Sequence, residues 1–186
     1  MDLTRIKELI PEHAKDLKLN LSAVLTPEGA PGLRRDQILA TALASAIAAR
    51  QPTLLREIEA LVVGELDDAQ VKAARAAASI MGMNNVYYRF THLVGNDEYG
   101  KLPAKLRMNV IGNPGVDKTD FEIYSLAVSA INGCGVCLSS HERAVRRAGI
   151  TAEGVQSAVR IAAVMNGIAV ALESTAEQAD RPRAAA

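Results

Sequence analysis

Apolar residues recur along this chain at three- and four-residue steps, and no stretch keeps up the strict apolar/polar alternation of a half-buried strand. The spacing predicts helices over 3–22, 35–50, 52–63, 67–89, 105–112, 119–131, 134–148 and 151–177. Breakers fall between them: Thr26, Pro27, Gly29, Pro31 and Gly32 make one loop, and Gly112, Asn113, Pro114 and Gly115 make another. Gly149 stands where a helix C-terminal glycine belongs. The expected fold class is therefore all-α, with residues 1–178 as one helical domain and 179–186 as a flexible tail.

The composition is consistent with this picture and removes several function classes. A chain of 186 residues with 49% hydrophobic content can bury a substantial single core. Aromatic residues are only 3%, so that core is built from aliphatic side chains and alanine. Lys plus Arg (21) balances Asp plus Glu (21), which leaves no basic field for nucleic acid or an anionic membrane surface. The opening MDLTRIKELIPEH lacks the apolar run of a secretory signal, and the expected location is cytoplasmic. The longest nearly unbroken apolar stretch, 161–172, is shorter than the ~20 residues that cross a bilayer, and it is expected to be a buried helix. Phosphate-loop, dinucleotide, serine-hydrolase and zinc-protease signatures do not occur in the chain.

A faint internal copy accompanies the helical pattern. Ser45, Ala46 and Ile47 return as Ser129, Ala130 and Ile131, 84 positions on, and Leu54 returns as Leu138. Ala74, Ala78 and Met81 align with Ala158, Ala162 and Met165 at the same offset of 84. Two separated blocks with one offset suggest duplicated helical units. The first copy carries Ala49, Arg50 and Pro52 around the place where the second carries cysteines, so redox chemistry is confined to the C-terminal half.

The chemistry concentrates in NGCGVCLSSHE, residues 132–142, which holds both cysteines of the chain and one of its three histidines. Asn132 and Gly133 separate two helices, so Cys134 and Cys137 should lie in the first turn of the second, where unpaired amide hydrogens favour thiolate over thiol. On that helix His141 follows Cys137 by four residues and Cys134 by seven, within reach of either sulfur. A redox dithiol is the first reading. Zinc is the competitor, with Glu122, His13 or His92 as a fourth ligand, although the chain has no second C-x-x-C. Outside this segment, His13 is read as solvated, His92 as lying in a polar loop with no titrating partner nearby in sequence, and Met81, Met83 and Met165 as core filler.

Glu122 interrupts an otherwise apolar helix. Glu122, Ser125 and Ser129 form a polar stripe running toward Gly133, where a carboxylate could serve as base or proton shuttle. Thr119 and Glu122 also spell the T-x-x-E of a capping box, and from spacing alone the cap is favoured.

Three stretches carry a resemblance: MGMNNVYYR (81–89), LRMNVIGNPGV (106–116) and FEIYSLAVSAINGCGVCLSSHE (121–142), together with the opening PEHAKDLKLNL. Through them the chain resembles the alkyl hydroperoxidase D (AhpD) family, in the wider carboxymuconolactone-decarboxylase-like group. The resemblance implies an all-helical fold of two related halves, a homotrimer and a lipoyl-dependent peroxidase. By that likeness Cys137 is the peroxidatic cysteine, Cys134 the resolving and proton-donating one, and His141 and Glu122 the proton relay, which overrides the preference for a mere cap. The implied cycle oxidises Cys137 to a sulfenic acid with an organic hydroperoxide, or with hydrogen peroxide. It then closes a Cys134–Cys137 disulfide and reopens it with dihydrolipoamide. Implied partners are a lipoyl-bearing acyltransferase, dihydrolipoamide dehydrogenase and an AhpC-type peroxiredoxin, with no bound cofactor or metal. Family members often carry a histidine just before the second cysteine, where this chain has Val136. Three alternatives stand beside this: an adaptor that only reduces a peroxiredoxin, a structural zinc module, and a decarboxylase of the wider group.

Overall fold

The computed structural model describes residues 2–179. Among them the regular structure is ten α-helices and one 3₁₀ turn, with no β-strand beyond a lone bridge between Val63 and Leu66. The helices in chain order are α1 Thr4–Leu9, α2 Lys15–Val24, α3 Arg35–Ala49, α4 Pro52–Val62 and α5 Asp68–Leu93, then α6 Glu98–Lys101, α7 Asn109–Gly112, α8 Lys118–Ile131, α9 Gly135–Arg147 and α10 Ala152–Ala179. The all-α class is the one expected from the pattern.

The structure departs from the sequence reading in several places: α5 runs four residues past the expected 89, the short α6 was not expected, and two helices of the N-terminal and central regions are cut down for local reasons. The single helix expected over 3–22 is broken, because Ile10 precedes a proline and takes an extended conformation (φ −72°, ψ 122°). A 3₁₀ turn over Glu12–Ala14 then leads into α2. The helix expected over 105–112 shrinks to α7, with Lys105 at φ 53°, a left-handed conformation that no α-helix accommodates. The apolar stretch 161–172 lies inside α10, close to the helix expected over 151–177, but it is not the limit of the apolar run: the segment Ala152–Thr175, 24 residues, is apolar and long enough to span a bilayer by length and composition. Just over half of it is buried against the other helices, with Ile161, Met165 and Ile168 fully enclosed, so α10 serves as a core helix. Of the expected tail, Ala179 ends α10, and the rest lies outside the described residues.

The core is centred on α3 and α8, which pack on each other and each against α5 and α10. Every residue of α3 from Gln37 to Ala46 is buried, as befits a helix apolar on nearly all sides. Polar groups inside this layer are tied across it. Gln37 donates to Asp120 at 2.6 Å, and Arg34 donates to the other carboxylate oxygen at 2.9 Å, which pins the start of α8 to the start of α3. The starts of α3, α4 and α5 (Arg35, Pro52, Asp68) recur as those of α8, α9 and α10 (Lys118, Gly135, Ala152), 83, 83 and 84 positions on. The loop between α8 and α9 is therefore the second-half counterpart of the α3–α4 turn, and it carries the cysteines.

Candidate functional site

α8 ends where Asn132 caps it and Gly133 turns left-handed at φ 67°, a conformation that a side chain would strain. Gly133 N–H donates to Ala130 O at 3.2 Å and Cys134 N–H donates to Ser129 O at 3.1 Å, the paired bonds of a Schellman ending. Cys134 then starts α9 as its N-cap, its carbonyl accepting from Leu138 N–H at 2.9 Å. One residue thus closes one helix and opens the next. Three residues on, Cys137 sits in the first turn of α9, and the two cysteines are joined as a disulfide with their Cα atoms 5.3 Å apart. The sulfurs differ in access: Cys134 is 0% exposed, whereas Cys137 is 7% exposed and lines a cavity of about 330 Å³.

Glu122 from α8 and His141 from α9 line the same cavity, with Glu122 Oε2 2.6 Å from His141 Nδ1. Both side chains are largely buried, at 14% and 12% exposure, so their contact is shielded from water. In geometry Glu122 is a partner of His141 and not a helix cap. The capping box expected from Thr119 and Glu122 does not form; Asp117 caps α8 instead, accepting from Thr119 N–H at 2.7 Å. That bonding holds the Asp117 carboxyl below its ordinary range, while Glu122 lies far enough along α8 to face α9.

The histidine has a second neighbour that the sequence reading had set aside. Met81 of α5, taken there as core filler, is buried (1% exposed) and also places its Sδ 3.3 Å from His141 Nε2. A thioether accepts but cannot donate, so this contact orients Nε2 as donor and turns Nδ1 toward Glu122.

Further residues of α5 hold the loop. Asn85, 1% exposed, donates to Ser129 Oγ at 3.0 Å and accepts from Asn132 Nδ2 at 2.9 Å. Arg89 donates to Asn132 O at 2.6 Å. Met81, Asn85 and Arg89 recur every four residues, so one face of α5 grips the imidazole and the cysteine loop together. Two asparagines side by side in a helix interior, where they are poor formers, were the available sequence signal.

Among the site residues expected from sequence, Cys137, His141 and Glu122 share the cavity wall, and Cys134 lies behind Cys137 through the disulfide. Val136 stands on the same wall, 39% exposed, where a histidine would have faced the cavity. His13 and His92 are exposed and do not line it. Among the described residues no three His, Cys, Asp or Glu side chains are grouped to hold a metal ion, which leaves the zinc alternative without a ligand set there.

Comparison with known proteins meets this site from two directions. Residues 97–180, which contain the cysteines, Glu122 and His141, match the model of the carboxymuconolactone decarboxylase family. Alkyl hydroperoxide reductase AhpD of a Bradyrhizobium species is 50% identical over 176 residues, covering 95% of this chain and 96% of that protein. The protein of the same name from Streptomyces coelicolor is 52% identical over 176 residues, covering 95% and 97%. That from Coxiella burnetii is 52% identical over 167 residues, covering 90% and 94%. With likeness at this level along almost its entire length, the chain belongs to the alkyl hydroperoxide reductase AhpD family, within the wider carboxymuconolactone decarboxylase group.

Proposed function

We propose that this protein is a peroxidase that reduces organic hydroperoxides, and hydrogen peroxide, to alcohol and water through the Cys134–Cys137 pair. The observation that carries the reading is the Glu122–His141 hydrogen bond of 2.6 Å on the wall of the cavity that Cys137 faces. In the open dithiol, Glu122 and His141 draw the proton from Cys137, and its thiolate attacks the terminal oxygen of the hydroperoxide. The O–O bond breaks, the alcohol leaves with a proton from the pair, and Cys137 becomes a sulfenic acid. Cys134 attacks that sulfur, water departs, and the disulfide closes. Sulfur carries both electrons, and no bound cofactor takes part.

The disulfide is then reopened by an external dithiol, for which dihydrolipoamide on an acyltransferase, recharged by dihydrolipoamide dehydrogenase, is the proposed donor. Because Cys134 is 0% exposed in the closed form, an entering thiolate meets Cys137 first and expels Cys134. Transfer to an AhpC-type peroxiredoxin is a further outlet for the same electrons. A pair that must be reopened at each turnover fits a reducing compartment, and the proposed location is the cytoplasm. The proposed assembly is a homotrimer. Val86 (59% exposed), Phe90 (47%) and Leu93 (71%) on one stretch of α5, with Leu102 (60%) just beyond, offer apolar surface for subunit contacts.

Stopped-flow mixing of the reduced protein with cumene hydroperoxide tests the reading. The expected result is one equivalent consumed per dithiol, with mass spectrometry showing loss of two hydrogens that dihydrolipoamide restores. Turnover that survives Cys137→Ser, or a reduced protein that ignores the peroxide and only passes electrons to a peroxiredoxin, would overturn it.

A further inference from the structure

Asn84 precedes the loop-gripping Asn85 on α5, yet it does none of the same work. Its side chain lines the cavity shared by Cys137, Glu122 and His141. The residue is 5% exposed, and its Oδ1 is buried with no hydrogen-bond partner. An asparagine inside a helix lowers helix stability, and an unpaired amide oxygen out of water lowers it further. A leucine, with the same number of side-chain heavy atoms, would incur neither cost. The other buried polar groups on this wall are occupied: Glu122 and His141 bond each other, and His141 Nε2 contacts Met81. A buried amide oxygen left without a partner, in a cavity that Cys137 also lines, is placed for a ligand.

We infer that Asn84 binds the hydroperoxide group itself, which rests on the peroxidase reading above and adds a substrate-contacting residue to it. The chemical match is specific. A hydroperoxide R–O–O–H has one O–H donor on its terminal oxygen and lone pairs on both oxygens. A primary amide offers an acceptor and donors on one edge, so Oδ1 accepts the peroxide O–H while Nδ2–H donates to the alkoxy oxygen. The last torsion of an asparagine is broad, so the amide turns its edge to the cavity without moving α5.

The contact strengthens as the reaction proceeds. When the Cys137 thiolate forms its bond to the terminal oxygen, the O–O bond breaks and its electron pair goes to the alkoxy oxygen. The sulfur is oxidised to a sulfenic acid and the peroxide is reduced. Negative charge grows where Nδ2–H points until the Glu122–His141 pair supplies the proton that makes the alcohol. A donor aimed at developing charge accelerates the step that develops it.

The test separates the two half-reactions, since only one involves a peroxide. Asn84→Leu keeps the number of side-chain heavy atoms and the branch at Cγ, is somewhat bulkier, and removes both hydrogen-bonding groups, and Asn84→Asp keeps the shape and the acceptor but loses the donors. Single-turnover oxidation by cumene hydroperoxide is expected to slow by about 10- to 100-fold in both variants. Reopening of the disulfide by dihydrolipoamide should stay within about twofold of the parent, since an amide donor acts only on the alkoxide-forming step. Across hydroperoxides with different alcohol leaving groups, Asn84→Leu should depend more steeply on leaving-group acidity. Circular dichroism checks that each variant folds, and the near-isosteric Asn84→Asp carries the test if Asn84→Leu does not. Parent-like oxidation in either folded variant, or an equal fall in both half-reactions, overturns the inference while leaving the peroxidase reading intact. A parent protein that consumes no hydroperoxide overturns both.

Discussion

At the scale of single residues, the site depends on His141 having a partner at each ring nitrogen, Glu122 at 2.6 Å and Met81 at 3.3 Å. An imidazole contacted at both ends is held against rotation, and it sits four residues after Cys137 on one face of α9. In the proposed relay the carboxylate is the partner that takes up the proton. Glu122→Gln keeps the size and a hydrogen bond but cannot take up a proton, so stopped-flow oxidation of Cys137 by hydroperoxide should slow by about 100-fold or more. A rate within a factor of two would reduce Glu122 to scaffolding.

At the scale of elements, the dithiol is positioned by the junction of α8 with α9 and by the grip of α5 on that junction through Asn85 and Arg89. The opposite end of α8 is held by Asp120, which accepts from Gln37 and Arg34 of the α3 segment. One turn further along, Tyr124 is fully buried, and its hydroxyl has no protein partner. Burial, reinforced by Asp120, pushes the Tyr124 phenol up from its ordinary value. A raised folded-state value means that stability is intact below about pH 10, where an unfolded tyrosine is neutral, and declines as pH rises above it. Tyr124→Phe removes both the orphan hydroxyl and this proton linkage. Thermal melts should therefore show a variant at least as stable as the parent at pH 7, with a smaller loss between pH 10 and 11. A phenylalanine variant that loses more than about 2 kcal/mol at neutral pH would show the hydroxyl to be paired in solution.

At the scale of the whole molecule, the helices α3–α5 and α8–α10 begin at nearly the same spacing, and only the second set carries thiols at its first junction. Leu19, Val63 and Val170 are exposed singly, but a group of exposed apolar residues lies on the last turns of α5 and the segment beyond it, where Val86, Phe90, Leu93 and Leu102 face solvent in the isolated chain. Surface of this kind is normally covered in an assembly. Sedimentation of the purified protein should give three times the chain mass of 19.7 kDa, and Phe90→Asp should shift it toward the monomer. A parent protein that sediments as a monomer would remove the trimer from the proposal.

The all-helical class, the helix ending at Gly133 and the cysteines at the start of the next helix were legible in the sequence, because periodicity, capping and glycine stops are decided by residues within a turn or two of each other. The same locality explains the one helix misread as continuous, where Pro11 acts on Ile10. What Glu122 bonds was not legible. Thr119 three residues before it spelled a cap, and only the packing of α8 on α9 turned it to His141, nineteen residues on. Met81, Asn84, Asn85 and Arg89 lie about fifty residues before the cysteines, and their part in the site exists only because α5 lies against both other helices. Backbone conformation is a local property of the chain, whereas which helix faces meet is decided by the burial of the entire core, and this site is built where three of those faces converge.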